Sequence, residues 1–268
     1  MSMTICISAI AKDEQKKEVL VFSTDHMVST SVGQFDHKIK KYKKLNNAIT
    51  MLSGRTLLFD ECIKGVKKED TFSQIKERIF RNMKSIRNEA IRNEVYNRFN
   101  INSDFVTNMI NQPIQNPIAN NILETISGFN LETSIMLIGF DENNNAKISE
   151  INENGMIDFR DIQFHSIGSG TVQALNTLLF QRQHCNERLS STIYNVFKAK
   201  KNAEVSEGVG KETEILILKS SGECNEISED DIQTMVKIYD EELEYGKNHK
   251  DLNNINPLNK CEVLEDVN

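Results

Sequence analysis

Residues 3–23 read MTICISAIAKDEQKKEVLVFS, and the reading of this stretch decides how the chain folds. An apolar, β-branched run over 3–11 gives way to a polar segment over 12–18, and a second apolar run over 19–23 follows. That order predicts a β-hairpin. Side chains alternate along a strand, so Thr4, Cys6 and Ser8 share one face of the first strand while Ile5, Ile7 and Ala9 share the other. Small polar atoms therefore line one side of the hairpin.

Outward from the hairpin, residues 37–43 and 48–53 predict a further strand pair, joined through Asn46-Asn47 and ended by Gly54. Residues 55–99 turn helical, with Phe72, Ile75, Ile79, Met83 and Ile86 recurring at three- and four-residue spacing. Pro113 and Pro117 limit helix placement before a helical pattern resumes over 118–129. Strands return at 134–140 and 146–152, which flank the turn 141–145 and predict a second hairpin. A helix is expected over 173–204, between Gly168-Ser169-Gly170 and Gly208-Val209-Gly210, and then a strand over 214–220. Residues 228–245 predict a last helix, with Ser228 as N-cap and Glu229 and Asp230 in its first turn. This alternation suggests a layered α+β fold in which helices cover the outer faces of two stacked sheets. One domain over 1–245 and a polar, flexible tail over 246–268 are expected.

Composition narrows the function classes. Hydrophobic residues make up 38% of the 268 and charged residues 26%, enough apolar surface for a core and too little charge imbalance for a disordered chain. The formal net charge of −7 argues against nucleic-acid binding, which needs a clustered excess of Lys and Arg. The local run of Lys38, Lys40, Lys41, Lys43 and Lys44 reads mainly as a solvated face. Five Cys, an odd number without C-x-x-C spacing, suggest neither a disulfide framework nor a zinc site and fit a reducing cytoplasm. The five His are scattered, so neither a metal nor a cofactor is expected. No stretch reads as a signal peptide or a membrane span.

In chain order, MTICISAI, FSTDHMVST, HKIKKY, MLSG, SIMLIGFDENNNAKISEI and SIGSGTVQAL resemble the proteasome β-subunit family of N-terminal-nucleophile hydrolases. AKKNAEVSEGVGKETEILIL adds similarity to a bacterial proteasome-like branch with an AE…GVG…T pattern before the last sheet strand. The resemblance covers about residues 3–222. It implies a four-layer α/β/β/α sandwich, here with an enlarged helical insertion between Gly54 and Ser134 and an extra C-terminal helix. It also implies a peptide or protein substrate and a homo-oligomer. The insertion departs from the family on the helical layers where its subunits meet.

The resemblance assigns roles residue by residue. Thr4 matches the nucleophile; when such a threonine is N-terminal, its own amine, with an ordinary pKa near 8, accepts the hydroxyl proton. Asp25 and Lys38 match the acid and base whose pairing holds a cation beside the nucleophile. Read without the family, the pair is an exposed salt bridge of under about 1 kcal/mol. Gly54 matches the glycine whose N–H forms the oxyanion hole, and Ser29 a substrate-aligning position. Ser169 matches the serine that bonds the terminal amine, and Glu204 and Ser206 fall near the family's last acid and serine, with Glu in place of the usual Asp. Removal of Met1 alone leaves Ser2 at the terminus and Thr4 blocked as an amide. Three resolutions stay open: translation from Met3, self-cleavage after Met3, or a non-catalytic relative. A threonine-type peptidase or amidase is thus expected, with a catalytically inactive structural or binding subunit, or peptide ligation at the same site, as alternatives.

Overall fold

The computed structural model describes residues 4–25, 27–30, 33–36, 40–111 and 117–247. In chain order the strands and helices begin with β1 (Ile5–Lys12), β2 (Glu18–Thr24), β3 (Met27–Thr30), β4 (Gly33–Asp36), β5 (Tyr42–Leu45) and β6 (Ala48–Ser53). A helical block follows: α1 (Phe59–Cys62), α2 (Phe72–Ile91), a π-helical turn over Arg92–Tyr96, α3 (Asn97–Phe99), α4 (Ser103–Ile110) and α5 (Pro117–Ser127). Then come β7 (Ser134–Phe140), β8 (Ala146–Asn152), β9 (Gly155–Asp158), β10 (Phe164–Gly168), α6 (Thr171–Phe180), α7 (Leu189–Ala203), β11 (Glu214–Lys219), β12 (Cys224–Glu226) and α8 (Glu229–Lys247).

The strands form two five-stranded antiparallel sheets, ordered β10-β1-β2-β11-β12 and β5-β6-β7-β8-β9, with β3 and β4 as a separate pair. Alternation along the strands supplies each sheet with two apolar faces. Cys6, Ile10, Leu20 and Phe22 of the first sheet share one core with Ile49, Met51, Met136 and Ile138 of the second. The alternate residues Leu52, Ile135 and Leu137 face α2, whose Phe72, Ile75, Ile79 and Met83 form a single buried stripe. Thr71 starts that helix with a reciprocal capping box to Gln74. On the first sheet, α7 packs over β1, β2 and β11, and α6 over β1 and β10.

Both expected hairpins are present, and 134–140 and 146–152 pair antiparallel around the 141–145 turn, with Phe140 opposite Ala146. The single helix expected over 173–204 is two. Arg182 takes a left-handed φ of 51°, and the chain between α6 and α7 is tied down by the buried Gln183. Its amide donates to the Ile10 carbonyl at 3.3 Å and to Thr192 Oγ1 at 3.1 Å, and accepts from Asn195 Nδ2 at 2.9 Å. Tertiary bonds thus end a helix that carries neither Gly nor Pro at the break. The strand expected over 37–43 begins at Tyr42, and residues 37–39 lie outside the described set.

The chain divides into two compact units, residues 1–227 and 228–268. The second is described through α8, where the Asp231 N–H donates to Ser228 Oγ at 3.2 Å and Glu229, Asp230 and Asp231 occupy the first turn. From residue 248 onward the expected tail lies outside the described residues. Among the described residues no helix is long and apolar enough to cross a membrane.

Candidate active site

Thr4 precedes β1, and β1 lies between β10 and β2, so the ends of both neighbours converge on it. From β10 comes Ser169, whose N–H donates to the Thr4 carbonyl at 2.9 Å. The Thr4 N–H in turn donates to Ser169 Oγ at 3.3 Å. Gly168 makes this approach possible: at φ +114°, a Cβ there would lie 2.1 Å from the Thr4 carbonyl oxygen. From the end of β2 comes Asp25, whose N–H donates to the Ile5 carbonyl.

The lysine that the fold brings to Thr4 is Lys41. It lies just ahead of β5, where its carbonyl accepts from the Leu52 N–H at 3.0 Å. Lys41 Nζ donates to Thr4 Oγ1 at 2.6 Å and to Asp25 Oδ1 at 2.8 Å. The Thr4 hydroxyl donates to the same carboxylate oxygen at 2.5 Å. Thr4 is 2% exposed, Asp25 0% and Lys41 5%, so this is a closed triangle of buried polar atoms. Lys38, expected in that role, lies outside the described residues.

Asp25 is held from behind as well. The Gly210 N–H donates to Oδ2 at 2.9 Å and the Ile5 N–H to Oδ1 at 3.3 Å. With Thr4 and Lys41, four donors converge on one carboxylate, which fills its ordinary acceptor capacity. A buried ion pair is weak ground for stability, because desolvation offsets most of the attraction.

Cys6 is two residues from Thr4, fully buried, and its Sγ lies 3.6 Å from the Leu52 carbonyl oxygen. Burial pushes its thiol far above the ordinary range, and the opposing pull of Lys41 does not restore it. The Cys6 thiol therefore stays protonated near neutral pH.

The other expected residues separate into those near Thr4 and those elsewhere. Ser169 and Ser206 both line an open cleft of about 530 Å³, together with Ser53 and Gly168. Glu204 is tied to Lys200 at 2.6 Å and to Lys201 at 3.1 Å, and among the described residues no bond joins it to Thr4. Gly54 sits at φ +115°, where a Cβ would meet the Glu132 carbonyl oxygen at 2.1 Å, so close backbone approach already requires glycine there. Ser29 is placed by its backbone alone, opposite Gln34 in the β3–β4 pair.

Two contributors escaped the sequence reading besides Lys41: the Gly210 N–H and, behind it, Lys200. Lys200 is fully buried in α7, and its Nζ donates to the Gly210 carbonyl at 2.6 Å and to Glu204 Oε1 at 2.6 Å. The Gly208-Val209-Gly210 stretch had marked a helix end, but nothing local in it points to Asp25, 185 residues away. Burial holds the Lys200 ammonium below its ordinary 10.5, more than Glu204 supports it.

Lys200→Met is expected to cost about 3 kcal/mol, because it strands the buried Gly210 carbonyl and leaves Glu204 with Lys201 alone. A lowered urea midpoint would show this. The parent binds fewer protons at Lys200 when folded than when unfolded, between the depressed folded value and 10.5. Its stability should therefore rise with pH in that window, and the Met variant should lack that contribution to the slope.

No family model and no curated protein sequence matches the chain. Among solved structures, a Gly-1 mutant of Anbu from Hyphomicrobium sp. strain MC1 is similar with a TM-score of 0.61 and 12% sequence identity, over 98% of this chain and 99% of that one. At that identity the similarity speaks for the fold alone: a proteasome-like α+β fold with two antiparallel sheets.

Proposed function

We propose that this chain is a threonine-type peptidase or amidase of the proteasome-like N-terminal-nucleophile class, with Thr4 as nucleophile. We read its layers as α/β/β/α, with α2 and the α6–α7 pair outside the two sheets. One observation carries the functional reading: Thr4 Oγ1 lies 2.6 Å from Lys41 Nζ and 2.5 Å from Asp25 Oδ1, beside an open cleft.

In this mechanism Thr4 Oγ attacks the carbonyl carbon of a peptide or amide bond, and its proton passes to the Thr4 amine once that amine is terminal. The C–N bond then breaks, the proton goes to the departing amine, and an ester on Thr4 remains. Water hydrolyses that ester and restores the hydroxyl. Lys41 stays charged throughout and stabilises negative charge developing on the oxygens. Asp25 keeps Lys41 in place, and Ser169 orients the amine. The expected oxyanion role of Gly54 and aligning role of Ser29 belong to this same proposal, as does assembly with further copies of the chain.

The Thr4 nitrogen is an amide wherever Met3 is retained, and Thr4 is then 2% exposed. That favours a second reading for such a form, a silent structural or binding subunit. A peptide epoxyketone, which captures both the hydroxyl and the free amine of an N-terminal threonine, separates the two. An adduct mapped to Thr4 supports the peptidase. Its absence from protein whose terminus is shown by mass to be Thr4 rejects it.

A further inference from the structure

The cleft beside Ser169 carries charge of one sign. Glu132, Glu153 and Glu207 line it, and none of its described lining residues is Lys, Arg or His. Glu132 and Glu207 are exposed at its rim. Glu153 is different, since only 4% of it is exposed. Its Oε1 accepts the Leu131 N–H at 2.9 Å, and among the described residues nothing bonds its second oxygen.

Glu153 thus stands on the cleft wall with one carboxylate oxygen held by the Leu131 N–H and the other without a bond among the described residues. A cation arriving from the cleft would supply the missing partner. The wall that holds Glu153 is fixed, because Glu153 follows β8 and Leu131 precedes β7, and these two strands pair along their length. On the other side, Gly168 and Ser169 line the cleft and also touch Thr4. A cationic group seated against Glu153 would thus lie in a cleft that shares Gly168 and Ser169 with the surroundings of Thr4.

The geometry points to a substrate preference: the cleft takes a cationic side chain, Lys or Arg, of a peptide presented to Thr4. The inference rests on the peptidase reading for its placement, but binding in the cleft can be measured without the nucleophile. Glu153 is the specificity-determining residue, and Glu132 and Glu207 attract the cation without fixing its position.

The test uses the full chain carrying Thr4→Ala and acetylated four-residue alanine peptide amides, in which each position in turn is Lys, Leu or Glu. Dissociation constants are measured by calorimetric titration. At one position the Lys peptide should bind roughly tenfold or more tightly than the Leu or Glu peptide. Glu153→Gln, whose amide oxygen can still accept the Leu131 N–H, should remove that preference, and the exposed Glu207→Gln should reduce it slightly. Equal binding of all three side chains, including no binding by any, overturns the inference, as does a Lys preference unchanged by both variants. Epoxyketone labelling of protein with a terminal Thr4 is run alongside. Lys-selective binding without labelling leaves the cleft as assigned and removes the peptidase, whereas labelling without side-chain preference does the reverse.

Discussion

Lys41→Met is expected to lower Thr4-dependent turnover by roughly 10²–10³-fold, the usual loss when one preorganised electrostatic donor is taken from a reacting oxygen. The ammonium lies 2.6 Å from Thr4 Oγ1 and supports that oxygen both as it loses its proton and as it bonds to carbon. The substitution also leaves Asp25 charged and fully buried, and breaking such a pair costs about 3–5 kcal/mol. Lost turnover in an unfolded variant would say nothing about mechanism. The informative comparison is the double variant Lys41→Met/Asp25→Asn, which removes the stranded charge. It should melt at a higher temperature than Lys41→Met alone and remain equally inactive. Turnover within threefold of the parent in the folded double variant would remove Lys41 from the mechanism. A larger loss in Lys38→Ala than in Lys41→Met would return the role to Lys38.

That contrast also marks how far the sequence could be read. Hairpins were legible because their information is local: apolar runs split by a polar segment or by an Asp-Glu-Asn-Asn-Asn turn give β1–β2 and β7–β8 nearly to the residue. Thr4, Asp25 and Ser169 were named only through the family resemblance of their segments, and the fold brings the three together. Lys41 was not legible. In His37-Lys38-Ile39-Lys40-Lys41-Tyr42 two lysines adjoin, so alternation alone does not say which points inward. The choice is made by the Leu52–Lys41 backbone bond and by Asp25, which lie elsewhere in the sequence. Lys40, next to it, instead reaches Glu214 at 3.2 Å with its side chain 55% exposed. The same holds for Gly210 and Lys200, whose link to Asp25 exists only once α7 has packed over β1 and β2. Strand β10 escaped notice because Phe164–Gly168 is five residues long and is held by pairing with β1 rather than by its own pattern.

Protein whose terminus is Thr4 is expected to react with a peptide epoxyketone, and protein retaining residues 1–3 is not. The difference should approach all or none, because it is chemical before it is structural. A terminal Thr4 offers an amine with an ordinary pKa near 8, able to accept the hydroxyl proton, whereas an amide nitrogen has no basic lone pair to offer. The fold already places that nitrogen 3.3 Å from Ser169 Oγ, beside Gly168, where no Cβ intrudes. Freed of Met3, the amine would have Ser169 as a hydrogen-bond partner and the Lys41 ammonium nearby, which disfavours its own protonation and keeps it a base near neutral pH. The two forms can be prepared by placing a protease site directly before Thr4 and by leaving residues 1–3 in place, with intact mass confirming each terminus. Thr4→Ala in the cleaved form should abolish the adduct, and Ser169→Ala should slow it without abolishing it, since Ser169 orients the amine and does not react. Should the form that still carries residues 1–3 gain the adduct at the same rate, its mass unchanged apart from the reagent, then Thr4 does not work through a free amine. The proton would have to pass directly to another group in contact with Oγ1, either Asp25, which already accepts from the hydroxyl, or a neutral Lys41.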